Sequence, residues 1–499
     1  MSIELLVNTT PLETRVALLE GGVLQELFIE RASRRGLVGN LYKGRITRVL
    51  PGMQAAFVEL GLARSAFLHA DDIVIDDARR DALGIASGDG SDGPASRPEI
   101  DIRRLVDPGD DLLVQVVKDP LGTKGARLTT FVTLPSRYLV FMPRGRGIGI
   151  SSRIEDETER TRLRTMVQSL VADGHPGGYI LRTAAEGVDA AALAVDLEYL
   201  ERLWRQVRER HLRATPGALV HEDLPLARRV LRDELARGVE QVWVDDAAEL
   251  GELRQFVGEL LPDGAPSLGL HVAARPLFDL FGIEAEIARA LERQVPLPSG
   301  GHLVIDQTES MTTIDVNTGA FVGHIGLEDT IFRTNLEAAT AIARQLRLRN
   351  LGGIIIVDFI DMQDEAHRAQ LLMALRAALG GDHAKTSVGE ISPLGLVEMT
   401  RKRTRESLER QLCDPCPACQ GRGWVRSVET VCHDIFREIR RQAPVSAGAG
   451  WMVLAHQEVV ARLLDEAAGL AGLEAAAGRP VRLQAESSYA LDRYDVIAL

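Results

Sequence analysis

Apolar and polar positions follow two periods along this chain. In the first ~37 residues they alternate, through ELLVNTT, TRVALLE and LQELFIE, which predicts short antiparallel strands. The next stretch, GNLYKGRITRVLPGMQAAFVELGLARSAFLHADDI (39–73), breaks into strand-like pieces at Pro51-Gly52 and Gly61 and predicts a small β-barrel. Strand signals resume in LLVQVVK (112–118) and FVTLPSRYLVFMP (131–143). Helical spacing takes over in DETERTRLRTMVQSLV (156–171) and AALAVDLEYLERLWRQVRER (191–210). It returns in NLEAATAIARQLRLR (335–349), where Leu336, Ala339, Ile342 and Leu346 share one side and Glu337, Arg344 and Arg347 lie away from it. That helix falls between TTIDVN and GIIIVDFIDM (353–362), both rich in branched apolar residues. If those two strands are parallel, the helix is a right-handed crossover.

Composition narrows the picture. At ~150 residues per domain, 499 residues suggest about three domains. No apolar run approaches the ~18 residues needed to span a bilayer. The N-terminus has an early acid and no basic segment ahead of an apolar one, so no signal peptide is expected. All four cysteines fall in the last fifth, which argues for a local metal site in a reducing cytosol rather than a disulfide framework. The net charge of −13 excludes a nucleic-acid binder that relies on a broadly basic surface. Two locally basic runs, RQLRLRN (344–350) and TRKRTRESLER (400–410), read first as solvated helix faces and second as a basic groove. The segment GIASGDGSDGPASRP (84–98) cannot bury much and reads as part of a mobile insert near 78–105.

Candidate chemistry begins at the strand ends. Asp358 closes a branched apolar run and Asp315 follows a β-branched one, and functional groups gather at the carboxyl ends of strands in α/β sheets. A parallel pairing brings both acids to the same end, where they repel unless one protonates or a cation sits between them. All-oxygen ligation favours Mg²⁺ or Mn²⁺ over zinc. Asn317 can add an amide oxygen or orient a water; Glu309 is a weaker candidate nearby. Asp361, three residues past Asp358, reads either as another candidate for the cation or as a turn or helix-capping residue. Such a cation suits phosphodiester hydrolysis, because it orients the phosphate and offsets charge in the transition state. Rival chemistries lack support: there is no G-x-S-x-G elbow, GTKGA (122–126) is not a P-loop, and His324 and His367 stand alone.

CDPCPACQGRGW (413–424) is the sharpest local motif. Cys416 and Cys419, with a Gly-rich turn behind them, fit one edge of a tetrahedral zinc site. The other half comes either from a second copy of the chain or from Cys432 and His433, with Cys413 spare. In the barrel segment, Phe57 and Phe67 lie among Lys43, Arg45 and Arg64, which suits stacked bases of a single strand; the alternative is that both rings fill the barrel core.

Taken together, these motifs and GTKGARLTTF, ILRTAAEG and NLEAATAIARQLRLRNLGG resemble the bacterial ribonuclease E/G family over nearly the whole chain, and its shorter G branch in particular. The resemblance implies a multidomain α/β architecture. An RNase H-like domain (1–37 and 229–292) is interrupted by an S1-type OB barrel (38–124) and a 5′-sensor region (125–228). A DNase I-like catalytic domain (293–411), a zinc link (412–424) and a small C-terminal α/β domain (425–499) follow. It implies metal-binding acids at Asp315 and Asp358 beside Asn317, and a zinc ion shared between protomers by Cys416 and Cys419. It places barrel contacts to RNA at Phe57, Phe67 and Lys124. It places a 5′-monophosphate pocket at Arg182 and Thr183, with backbone at Ser136 and Val140. The expected protein is a cytoplasmic homodimer or homotetramer. It would use Mg²⁺ to cut single-stranded, A/U-rich RNA to 5′-phosphate and 3′-hydroxyl ends, in 16S rRNA 5′-end maturation and mRNA decay. A non-catalytic RNA-binding scaffold and a phosphodiesterase acting on DNA are the opposed readings.

Overall fold

The computed structural model describes residues 2–75, 101–120, 125–171, 177–261, 265–319, 327–446, 448–465 and 467–499. They form two compact units, Met1–Leu408 and Glu409–Leu499. The first is a mixed α/β unit with four sheets, one of them closed into a five-strand barrel.

The alternating N-terminal segment makes the expected meander. Strands Ile3–Thr9, Glu13–Glu20 and Val23–Arg31 pair antiparallel. The sheet is completed from far along the chain: Val239–Val244 runs parallel to Ile3–Thr9, and Ser267–Leu270 lies beyond it. Leu5, Val7, Val16 and Leu18 pack there against Val230, Leu231, Leu253 and Val257.

The barrel runs Leu41–Leu50, Ala55–Glu59, Ala66–His69, Arg127–Thr129 and Asp111–Lys118, which pairs back onto the first strand. Its closing strand Arg127–Thr129 lies past residue 124, where the sequence reading ended the barrel; it is held by pairing with both neighbours. Gly44 is required by close packing, since a Cβ there would stand 2.5 Å from Cγ1 of Val58. Of the insert expected near 78–105, residues 101–105 belong to the barrel, since Ile102 and Leu105 are buried in its core; residues 78–100, with the quoted loop 84–98, lie outside the described residues.

A four-stranded sheet, Ile148–Ile150, Gly178–Leu181, Leu139–Met142 and Leu134–Pro135, shares one core with helices Glu157–Leu170 and Ala190–Arg213. Both helices start at an aspartate whose carboxylate accepts from the first turn, Asp156 and Asp189.

The last sheet of this unit has the order Gln294–Pro296, His302–Gln307, Met311–Asn317, Gly353–Asp358, Leu396–Arg401, Thr386–Ile391. The two acid-bearing strands, Met311–Asn317 and Gly353–Asp358, are parallel, while their outer neighbours pair antiparallel. The crossover helix between them, Leu327–Leu348, starts eight residues before the predicted 335. It buries Ala339, Ile342 and Leu346 with Ile314, Val316, Ile355 and Val357.

The basic runs are solvated faces only in part. Lys402 and Arg410 lie exposed, but most of the arginines are tied into the fold. Arg347 is buried between Glu20 and Glu26, Arg344 bonds Leu24 O and Glu286, and Arg349 bonds Gln345 and Glu292 O. Arg401 forms a buried pair with Asp382 at 2.6 Å, and Arg405 lies over the Phe28 ring. Arg344, Arg347 and Arg405 join the sheet that carries Asp315 and Asp358 to the N-terminal meander.

The second unit holds a three-stranded sheet, Val481–Ala485, Trp451–Ala455 and Tyr494–Ala498, with helices Val428–Gln442 and Gln457–Asp465 packed on Trp451 and Val453. Among the described residues, no helix is long and apolar enough to cross a membrane.

Candidate active site

The register of the parallel pair sets Asp315 directly opposite Asp358. Neighbouring strands lie about 4.8 Å apart, and opposed residues point to the same face. Ile314, Val316 and Val357 turn into the core, so alternation carries both acids to the other face, where both are exposed. Asn317, two residues on, shares that face, and its Nδ2 donates to Asp315 Oδ2 at 2.9 Å. Partial burial, then the charge of Asp315, then that of Asp361 push the Asp358 carboxyl above its ordinary range.

Among the described residues, no three His, Cys, Asp or Glu side chains cluster as a metal cage. A pair of carboxylates with one amide is instead the donor set of a hard cation that keeps much of its water, such as Mg²⁺. The mutual repulsion of the pair is what such a cation would relieve, so these residues fit the group.

Other sequence candidates separate clearly. Glu309 sits in the turn before Met311–Asn317, at the opposite strand end from Asp315, so it is removed from the site. His367 stacks on Phe332 at 4.1 Å, which is a packing role. His324 lies outside the described residues.

On the barrel, Phe57 and Phe67 are register partners with ring centroids 6.5 Å apart, edge to face. Both are half-buried and face outward, because Ala56, Val58, Ala66 and Leu68 take the inward positions. Filling the barrel core is therefore not their role. The row continues across the strands as Arg48, Phe57, Phe67, Arg127; Arg48 sets a cation beside the rings, while Arg127 pairs with Asp72 at 2.9 Å. Sequence reading missed Arg48 and Arg127, since the bulge that turns Arg48 outward leaves no local signal. Of the cations it named, Lys43 is turned to Ala214 O and Arg45 pairs with Asp111. Lys124 lies outside the described residues.

Arg182 and Thr183 follow strand Gly178–Leu181. The Arg182 guanidinium donates to Ser136 O at 2.7 Å and pairs with Asp233 at 2.9 Å. Burial alone would raise the Asp233 carboxyl, but Arg232 and Arg182 outweigh it and hold it below the usual range. Thr183 is exposed, its hydroxyl 3.1 Å from Ser151 Oγ. The Ser136 amide already donates to Leu139 O and its hydroxyl to the buried Asp196, so its side chain does not crowd the Arg182 surface. Val140 lies in the adjoining strand, opposite Ile180. Asp196 and Asp233 were not legible as partners, being about 60 and 50 residues from the groups they hold.

In the second unit, Gln420 and Gly421 take left-handed backbone just after Cys419. The N–H groups of Gly423 and Gly421 then point at the Cys419 sulfur and, with a smaller contribution from the Cys416 side chain, lower its pKa. Cys432 is buried in the core with its thiol toward Val459 O, so the internal zinc set of Cys432 with His433 is not available. Cys413, Cys416 and Cys419 lie nearer the surface, with Cys416 beside Cys419.

The model of the ribonuclease E/G family matches residues 133–404. Ribonuclease G of Escherichia coli (strain K12) is 53% identical over 500 residues, covering all of both chains. Ribonuclease G of Haemophilus influenzae is 48% identical, again over both whole chains. Ribonuclease E of Escherichia coli (strain K12) is 39% identical over 443 residues, covering 88% of this chain and 40% of that protein. With the family model spanning more than half its length and such relatives matching end to end, the chain belongs to the ribonuclease E/G family.

Proposed function

We propose that this chain is an endoribonuclease that cuts single-stranded, A/U-rich RNA to 5′-phosphate and 3′-hydroxyl products, using Mg²⁺ held by Asp315 and Asp358 with Asn317. Its family and its full-length ribonuclease G relatives support the ribonuclease activity. The observation that carries the site is the opposed, unrelieved pair Asp315 and Asp358 at one sheet end. A bound cation would supply charge to the scissile phosphate. Asn317 would hold the Asp315 carboxylate in place. Phe57 and Phe67 would stack two bases, with Lys124 and Arg48 near the backbone. Arg182 and Thr183 would offer a fork and a hydroxyl to a terminal 5′-phosphate, and its binding would stimulate cutting. Two copies of the chain would complete a zinc site with Cys416 and Cys419 from each, in a homodimer or homotetramer. Maturation of the 16S rRNA 5′ end and mRNA decay are the cellular roles such an enzyme would serve.

The test is a short 5′-monophosphorylated single-stranded RNA incubated with metal-free protein, before and after Mg²⁺ is restored, for wild type and Asp358→Asn. Wild type is expected to cut only with Mg²⁺. Asp358→Asn should lose more than the ~100-fold that removing a merely supporting group costs, with RNA binding retained. Binding without cutting by both proteins would instead indicate a scaffold, and cutting by both would move the chemistry to another acid.

A further inference from the structure

We infer that Asn335, Glu328 and Arg368 are positioning residues that lock residues 359–364, the segment leaving Asp358 and carrying Asp361; the inference rests on reading Asp315 and Asp358 as the cation-binding pair. A segment that runs on past the end of a paired strand must find partners for its own backbone groups. Here side chains supply them. Asn335, fully buried on the crossover helix, donates Nδ2 to Ile360 O at 2.8 Å and accepts from Ile360 N at 3.1 Å through Oδ1. One amide thus does for Ile360 what a neighbouring strand would do. Glu328, in the first turn of the same helix, accepts through Oε1 from the N–H of Gln363 at 3.1 Å and of Asp364 at 3.3 Å. Arg368, on helix Glu365–Leu379, donates Nε to Met362 O at 2.7 Å. Phe359 and Met362 are buried beneath.

The lock has a reason in electrostatics. Asp315, Asp358 and Asp361 repel one another, and a loose segment would relax that repulsion by swinging away. Fixed on both sides of Asp361, it cannot. The Ser392–Leu396 turn closes the remaining side: Gly395 has φ +84°, and a Cβ there would lie 3.1 Å from Asp361 Oδ1. Asn is a weak helix former, and its amide competes with the helix backbone, so residue 335 is not asparagine for the helix's sake. The carboxylates are therefore held in register before a cation arrives, and the cation need not order them.

The test compares Asn335→Leu, Glu328→Ala and Glu328→Gln with wild type and Asp358→Asn. The readouts are the Mg²⁺ concentration for half-maximal cutting of the same RNA, kcat at saturating Mg²⁺, metal-free RNA binding, and Tm. Leu379→Ala, buried at the far end of helix Glu365–Leu379, serves as a variant that destabilises the fold without touching the segment. Asn335→Leu and Glu328→Ala should raise the Mg²⁺ midpoint or lower kcat by about 10- to 100-fold, with RNA binding unchanged. Glu328→Gln keeps an acceptor oxygen and should restore most of the loss. If Glu328→Gln is as impaired as Glu328→Ala, the charge itself acts and the inference fails. It fails too if Asn335→Leu only follows Leu379→Ala, or if both clamp variants keep wild-type Mg²⁺ dependence while Asp358→Asn is inactive. Should Asn335→Leu not fold, the two Glu328 variants decide the matter. Wild-type cutting by Asp358→Asn would overturn the site assignment itself.

Discussion

Glu20 and Glu26 sit among arginines, whereas Asp315 and Asp358 sit beside each other. Arg237 and Arg347 meet Glu20 at 2.8 and 2.9 Å; Arg347 also meets Glu26 at 3.0 Å, with Arg405 at 3.8 Å. Burial alone would raise the Glu20 carboxyl, but Arg347 and then Arg237 hold it below its usual range. Burial with too few counter-charges pushes the Arg405 guanidinium down to about 10. At Asp358 burial raises the carboxyl first and the neighbouring acids Asp315 and Asp361 add to it, so the shift runs upward. The first arrangement serves the fold. The second opposes it, and a chain keeps such a conflict where function needs it. The same contrast separates the rings on the barrel: Phe57 and Phe67 are turned outward where burial would have stabilised the fold more.

The largest effect expected from this comparison is on the scaffold. Arg347→Met strips Glu26 of its nearest cation in a buried setting and should cost about 3 kcal/mol or more of stability. Urea unfolding measures it. A loss within ~0.5 kcal/mol, the range of an ordinary surface substitution, would mean the network is solvated and the contrast with Asp358 is false.

Phe57→Ala and Phe67→Ala sharpen the comparison from the barrel side. Each should weaken single-stranded RNA binding by about 1–3 kcal/mol, the usual worth of stacking one base on a ring. Tm should barely move. A large fall in Tm with unchanged RNA affinity would return the rings to the scaffold.

The sequence carried these two classes unequally. The acids were legible because each follows a β-branched run, and a parallel pairing was the one step needed to bring them together. The arginines were not, because charge patterning is a local signal and their partners are remote. Arg347 lies 321 residues from Glu26 and 327 from Glu20. Runs such as RQLRLRN look identical whether they face water or acids from another sheet. The outward Phe pair fell between: alternation in AAFVE and AFLH is visible, yet both faces read as apolar, so strand pairing had to decide. The clamp on residues 359–364 left no trace, since Asn335 and Glu328 are ordinary residues on an amphipathic helix until the segment they grip is placed.

The smallest effect is the most diagnostic, because it has a sign that catalysis alone does not explain. The folded pKa of Asp358 lies above its unfolded value, so the folded chain holds that proton more tightly. Its ionised form therefore costs stability. The cost is absent at low pH and appears as pH rises through the carboxylate range. Asp358→Asn removes it, so the metal-free variant should melt slightly above wild type at pH 7, and the gap should close on acidification. Glu20 runs the other way. Its folded pKa is lowered, so its contribution is present above the unfolded value and lost as pH falls through the folded one. Glu20→Gln should then melt below wild type at pH 7, and that deficit should also shrink in acid. Thermal melts of the two variants from pH 7 downward, without metal, give two gaps of opposite sign converging on zero. If Asp358→Asn instead melts lower at pH 7, Asp358 has a stabilising partner in the fold, and the pair loses the unrelieved repulsion that marks it as a place for a cation.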